Sequence, residues 1–197
     1  MALVIDVLRA TSSIVTALAE GYAWVQGCRT VEEARLLADH HGPQALLAGE
    51  RGGLPPQGFH KGNSPREFLH PHPRGLGLIL TTSNGTRALA AAQAADQVLV
   101  LSFLNLSATA EWLRHQDKPI VLVCSGTGED FSLEDSLLAS ALLQILEPTN
   151  PSPPSSAPTT ATLGTRPCVK AKTANTSSRL AWPTTSLGAV SSTFTPS

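Results

Sequence analysis

Short apolar runs and amphipathic stretches alternate along the first three quarters of the chain. Leu3-Val4-Ile5 stops at Asp6, and Thr11-Ser12 open the stretch Ser13–Ala23, in which Ile14, Val15, Leu18 and Ala19 recur at helical spacing. Either hydroxyl is a suitable N-cap. Val31–Ala38 carries a second amphipathic pattern behind Thr30, a further cap. Ala45–Ala48 runs into Gly49-Glu50-Arg51 and a Gly/Pro-rich loop that closes on Asn63-Ser64-Pro65-Arg66-Glu67. There Ser64 as cap, Pro65 at N1 and Glu67 at N3 spell a capping box.

The alternation repeats three times more. Leu78–Leu80 ends at Thr81–Thr86 ahead of an alanine-rich helix, 87–95. Val98–Leu101 ends at Ser102-Phe103, with Asn105 before a helix at 108–114. Ile120–Val123 ends at Cys124–Gly128, and Phe131–Asp135 leads into the helical 136–146. Five apolar runs, each followed by a polar turn and a helix, predict an α/β domain over 1–147: three layers, α/β/α, around a mostly parallel sheet. Such a sheet gathers ligands at the carboxyl ends of its strands. Asp6/Arg9, Glu50/Arg51, Thr81–Thr86, Ser102/Asn105 and Cys124–Thr127 stand at those ends.

Composition divides the chain at the same place. All 15 acidic residues and 10 of the 14 basic ones lie in 1–147, so that body carries −5 and the remaining fifty residues +4. Those fifty contain 28 Ser, Thr and Pro, and no apolar period. The region 148–197 is expected to be disordered, or an out-of-frame reading of a gene whose true continuation differs. No apolar run reaches the ~18–20 residues of a membrane span, and the N-terminus lacks a basic leader. The three cysteines have no metal-finger spacing, and an acidic body lacks the basic stripe that nucleic acid requires. A soluble, cytoplasmic protein acting on a small molecule is expected, without nucleic-acid or membrane partners. Its exposed helices leave room for homo-oligomers.

The chemistry at the strand ends points one way. Carboxylates at Asp6, Glu50, Glu134 and Asp135 are the hard oxygen donors that Mg2+ prefers. Amides and hydroxyls at Asn84-Gly85-Thr86 and Ser125-Gly126-Thr127 suit an oxyanion, and Arg9 and Arg51 add guanidinium forks. Each has a plainer reading: Asp6 could cap its turn, Asp135 could be the N3 partner of Ser132, and the glycines could serve the backbone alone. Neither glycine turn is a P-loop or a dinucleotide fingerprint. Cys124 lacks a phosphate loop behind it and is expected to be a small buried core residue.

The words themselves carry a resemblance. Val4-Ile5-Asp6-Val7-Leu8-Arg9-Ala10-Thr11-Ser12, Gly49-Glu50-Arg51-Gly52-Gly53, Gly62-Asn63-Ser64-Pro65, Thr81–Leu89, Ser102-Phe103-Leu104-Asn105, Val123–Thr127 and Phe131–Asp135 resemble, in order, the motifs of the 2-phosphosulfolactate phosphatases. The likeness spans about 4–146. At position 60 this chain has His where the family pattern has Asp. The resemblance implies an Mg2+-dependent phosphoric monoester hydrolase that converts 2-phospho-3-sulfolactate to 3-sulfolactate and phosphate, a step towards coenzyme M. On that reading Asp6 and Arg9 are catalytic, and Asp6, Glu50 and Asp135 hold the metal, directly or through water. Arg51, Asn63, Ser64, Thr82, Asn84, Gly85, Thr86, Ser102, Asn105, Gly126 and Thr127 bind substrate. The alternatives are a truncated, inactive relative that at most binds acidic metabolites, or a phosphatase of another small phosphorylated acid.

Overall fold

A computed structural model describes residues 1–70 and 72–147; the reading of 148–197 as a disordered or out-of-frame tail lies outside the described residues. Six strands and five α-helices follow one another among the described residues, alternating except between β3 and β4: β1 (Ala2–Ile5), α1 (Ala10–Ala19), β2 (Trp24–Gly27), α2 (Val31–His41), β3 (Ala45–Gly49), β4 (Gly77–Thr81), α3 (Gly85–Ala91), β5 (Val98–Leu101), α4 (Leu106–Leu113), β6 (Val121–Cys124) and α5 (Leu133–Leu146). Every strand pairing is parallel. The α/β class therefore stands.

The strands divide into two three-stranded sheets, ordered β5-β1-β6 and β2-β4-β3, where the alternation had suggested one. Apolar periodicity shows that a strand is covered on both faces, but not which strand it pairs with. The additional strand, β2, escaped notice because Trp24-Val25-Gln26-Gly27 has no apolar run. Its place is fixed by tertiary contact: the Trp24 ring lies over Gly77, where any Cβ would collide with it.

Side-chain alternation along each central strand assigns the layers. Ala2 and Val4 of β1 face a core shared with Ile14, Val15 and Ala17 of α1, Ala88 and Leu89 of α3, and Leu78 and Leu80 of β4. Leu3 and Ile5 point the other way, onto Ala110 and Leu113 of α4 and Leu138 and Leu142 of α5. Ile79 of β4 turns outward to Ala34 of α2. Helices α1 and α3 thus lie between the sheets, with α4/α5 and α2 outside. Burying a leucine or isoleucine in such layers contributes ~1.5–3 kcal/mol each.

Three helix starts bear on the site. Thr30 caps α2 by accepting the Glu33 amide at 3.0 Å, and Ser132 caps α5 by accepting the Asp135 amide at 3.2 Å. Helix α1 begins at Ala10, so Thr11 and Ser12 lie in its first turn instead of capping it. Their hydroxyls donate backward to Asp6 O and Val7 O, both at 2.8 Å. That stitching leaves only four residues between strand and helix, and it sets Asp6 at the turn.

Candidate active site

A cavity of about 300 Å³ opens at the carboxyl ends of β1, β3 and β4, lined by Asp6, Leu8, Arg9, Glu50, Gly52, Gly53, Asn63, Thr82, Ser83 and Asn84. It straddles the two sheets. Six of the residues singled out from the sequence meet there: Asp6, Arg9, Glu50, Asn63, Thr82 and Asn84.

Asp6 is 6% exposed. Burial is the main cause that lifts its carboxyl pKa from 3.8 to about 6; the Ala10 amide opposes this, Asp135 adds repulsion, the Ser125 hydroxyl lowers it and Glu50 raises it again. The carboxylate rests against Gly85, where a Cβ would strike both Asp6 Oδ2 and the Ala10 methyl. Gly85 therefore serves the site by being small.

Glu50 is fixed from two sides: Oε1 accepts the Ser83 amide at 2.7 Å and Oε2 the Gly53 amide at 2.9 Å. Partial burial works against its ionisation, but those amides, with the Ser83 side chain and the Arg51 cation, outweigh it and lower its pKa. The Gly53 amide points there because Arg51 and Leu54 pair across a two-residue turn whose centre, Gly52 and Gly53, has φ of +60° and +83°. Both positions call for glycine. Gly49, at φ +145°, lies so close to Thr81 O that a side chain has no room.

Asn63 is 95% buried and its Oδ1 has no partner among the described residues, while its carbonyl accepts the Ser13 hydroxyl at 2.9 Å. Thr82 Oγ1 accepts the Thr86 amide at 3.1 Å, which leaves its own proton to give. Asn84 Oδ1 accepts the Gly128 amide at 3.1 Å, so its NH2 is the end left for a ligand. The Arg9 guanidinium has no hydrogen-bond or ion-pair partner among the described residues.

The other residues singled out take up positions in the scaffold around the cavity. Arg51 spans Glu50 O, Arg29 O and Thr81 Oγ1 at 2.6, 3.0 and 2.7 Å, and it does not line the cavity. Thr86 is locked onto Thr82 O at 2.7 Å. Ser102 and Asn105 form a capping box below α4, with the Ser102 amide on Asn105 Oδ1 at 2.8 Å. Ser64 offers its amide to Glu67, whose carboxylate also takes the Gly62 amide at 2.7 Å. Gly126 donates to Asp135, and Thr127 pairs with Asp130 across a tight turn.

Asp135 is 1% exposed, and both its oxygens are engaged. Oδ1 takes the Val7 amide at 2.9 Å, and Oδ2 takes the Ser125 hydroxyl and the Gly126 amide, both at 3.2 Å. Among the described residues no three His, Cys, Asp or Glu side chains converge as a metal site. Asp6 and Glu50 share the cavity; Asp135 does not reach it.

Two residues differ from expectation. Cys124 is exposed on the open edge of β6, not buried in the core. Local desolvation, with the Asp135 charge, still pushes its thiol up to about 11, far from a nucleophilic thiolate. His60, where the family pattern has Asp, is not among the residues that line the cavity and accepts the Leu47 amide on Nδ1 at 3.0 Å. Sequence reasoning missed Leu8, Gly52, Gly53 and Ser83 as cavity-lining residues. All four lie inside quoted motifs, but a motif does not show which of its residues face inward.

The chain matches the 2-phosphosulpholactate phosphatase family over residues 1–174. It belongs to that family. The match extends past residue 146, where the motif resemblance stops. Among relatives, a probable 2-phosphosulfolactate phosphatase of Thermotoga maritima is 44% identical over 146 residues, 74% of this chain and 62% of the relative. The Thermotoga petrophila protein of that description is 46% identical over the same shares. One from Symbiobacterium thermophilum is 42% identical over 147 residues, 74% of this chain and 63% of its own. The chain thus spans about three-fifths of the length of these family members. No helix among the described residues is long and apolar enough to cross a membrane.

Proposed function

We propose that this chain is a magnesium-dependent phosphatase that hydrolyses 2-phospho-3-sulfolactate to 3-sulfolactate and phosphate, a step towards coenzyme M. The observation that carries the reading is the cavity at the strand ends, where family motifs bring two acids, Asp6 and Glu50, together with the guanidinium of Arg9, which has no partner among the described residues. Net hydrolysis breaks the ester P–O bond, forms a P–O bond to water and returns a proton to the lactate oxygen.

The residues present fit a hard divalent cation. Asp6 is held in a field made negative by Asp135 and Glu50, and such a carboxylate gains most from a cation. Asp6 and Glu50 would hold magnesium, directly or through water, with Asp135 behind them. Bound there, magnesium would polarise the phosphoryl group and offset its charge. The chain's own part is positioning. Arg9 grips phosphoryl or acid oxygens in a fork, Thr82 and the Asn84 NH2 donate beside it, and the amide-pinned Glu50 keeps its charge across the neutral range.

One observation favours a second reading. Of the two arginines proposed for oxyanions, Arg51 is committed to the scaffold, which leaves Arg9 as the cation lining the cavity. A smaller phosphorylated acid, or binding without turnover, suits that charge balance. Phosphate release from 2-phospho-3-sulfolactate and from simpler phospholactates, with magnesium and with a chelator, separates the readings. Magnesium-dependent release from the sulfonate supports the first. Release only from the smaller esters, or none, rejects it.

A further inference from the structure

We infer that Asn63 is a third oxygen donor to the cation at this site: its side-chain carbonyl joins the Asp6 and Glu50 carboxylates in holding magnesium, directly or through one of the ion's waters. The inference rests on the proposed magnesium reading and deepens it. It moves Asn63 from the substrate, where the motif resemblance puts it, to the metal.

Asn63 is buried as deeply as Asp6, at 5% exposure against 6%, and both line the cavity together with Glu50. Its Oδ1 accepts no hydrogen bond among the described residues. A buried carbonyl is costly to leave bare, so its partner is expected to come with a ligand. Backbone bonds fix where this amide stands. The Asn63 carbonyl accepts the hydroxyl of Ser13 in α1 at 2.9 Å. The amide of Gly49, next to Glu50, donates to Gly62 O at 3.2 Å. Glu67 holds the Gly62 and Ser64 amides on either side. Asn63 is thereby stitched both to the helix that follows Asp6 and to the strand that ends before Glu50.

Chemistry selects the partner. Above neutral pH the phosphate, sulfonate and carboxylate of 2-phospho-3-sulfolactate are ionised, and the oxygen on carbon 2 is esterified. That substrate brings acceptors and no donor, so it cannot satisfy the Asn63 oxygen. A cation, or a water held by a cation, can. Amide carbonyls and carboxylates are both hard oxygen donors of the kind that magnesium and manganese take. A neutral third donor also accords with the lack of a third converging acid among the described residues, since Asp135 is committed to the Val7 and Gly126 amides. Two carboxylates and one amide match the charge of a dication.

The test needs no turnover. Mn2+, read by the paramagnetic resonance signal of the free ion, is titrated into the full 197-residue chain without substrate. Asn63→Ala should weaken binding about tenfold or more, whereas Asn63→Asp, which keeps an oxygen there, should bind at least as tightly as wild type. If Ala does not fold, Asn63→Leu, of similar shape without the oxygen, takes its place. An Ala or Leu variant within about twofold of wild type, or an Asp variant as weak as Ala, overturns the inference and leaves the magnesium reading standing. A wild-type chain that binds no Mn2+ removes the magnesium reading, and the inference with it. Inorganic phosphate is the second probe: weaker phosphate binding in Asn63→Ala with Mn2+ affinity unmoved would return Asn63 to the substrate and overturn the inference.

Discussion

Asp135 and Val7 are joined across 128 residues of chain, carboxylate to backbone amide, at 2.9 Å. The bond ties the first turn of α5 to the end of β1, one residue past Asp6. With the Gly126 amide on its other oxygen, Asp135 closes two strand ends at once. Asp135→Ala strands two amides and a hydroxyl, for an expected loss of about 3–5 kcal/mol. That corresponds to roughly 10 °C in Tm for a domain of this size. Urea and thermal melts measure it. A variant as stable as wild type would show the clasp to be incidental.

Arg9 and Arg51 are chemically alike and structurally opposite, so their substitutions should separate. Arg9→Ala removes a side chain that bonds nothing among the described residues, and stability should stay within ~0.5 kcal/mol. Its effect belongs to the ligand: KM for the phosphate ester should rise about tenfold or more, as for loss of a charge-assisted hydrogen bond worth ~1.5–3 kcal/mol. Arg51→Ala breaks three hydrogen bonds, to Glu50 O just past β3, to Thr81 Oγ1 at the end of β4 and to Arg29 O ahead of the α2 cap. It should lower Tm before it alters KM. The reverse pattern in steady-state kinetics and melts would exchange the two roles.

His60 tests how far a family motif transfers. Its Nδ1 accepts the Leu47 amide, and its own amide donates to Leu47 O at 3.0 Å. A carboxylate at this position can accept the same amide. His60→Asp should therefore leave both stability and phosphate release nearly unchanged. His60→Leu leaves the amide of the buried strand residue Leu47 without its acceptor and should cost about 1–3 kcal/mol. Rate changes in His60→Asp without a change in Tm would return this position to the chemistry.

The same contrast shows how much was legible in the sequence. Strand ends were legible, since Leu3–Ile5, Ala45–Ala48, Leu78–Leu80 and Val98–Leu101 are apolar runs cut short by polar residues, and these locate Asp6, Glu50 and Thr82. The start of α1 was misplaced by three residues because Thr11 and Ser12 look like caps but bond back to Asp6 and Val7, just past β1. Division into two sheets was not legible, because pairing is decided by contacts far apart in sequence. Neither was the direction of a side chain within a motif. Asp135 and Arg51 carry the right chemistry, yet scaffold groups far off in sequence, among them the Val7 amide and Thr81 Oγ1, claim both. Asp135 as N3 partner of Ser132, the plainer reading, is visible in the Ser132–Asp135 bond.

Asp6 should make the protein less stable at neutral pH than an uncharged substitute would. Its folded pKa of about 6 lies above the ordinary 3.8, so between those values the folded state binds the proton that the unfolded state has released. The stabilisation is complete below pH 3.8 and is lost as pH rises through 6. At pH 8 ionised Asp6 therefore costs about 3 kcal/mol relative to its protonated form. Asp6→Asn cannot ionise and keeps the hydrogen-bonding shape. It should melt above wild type at pH 8, with the gap closing towards pH 4, while phosphate release is lost throughout. Magnesium should raise the wild-type Tm at pH 8, where the carboxylate is charged, and leave that of Asp6→Asn nearly still. Wild type and variant melting together at every pH would mean that the Asp6 charge is already compensated without a cation.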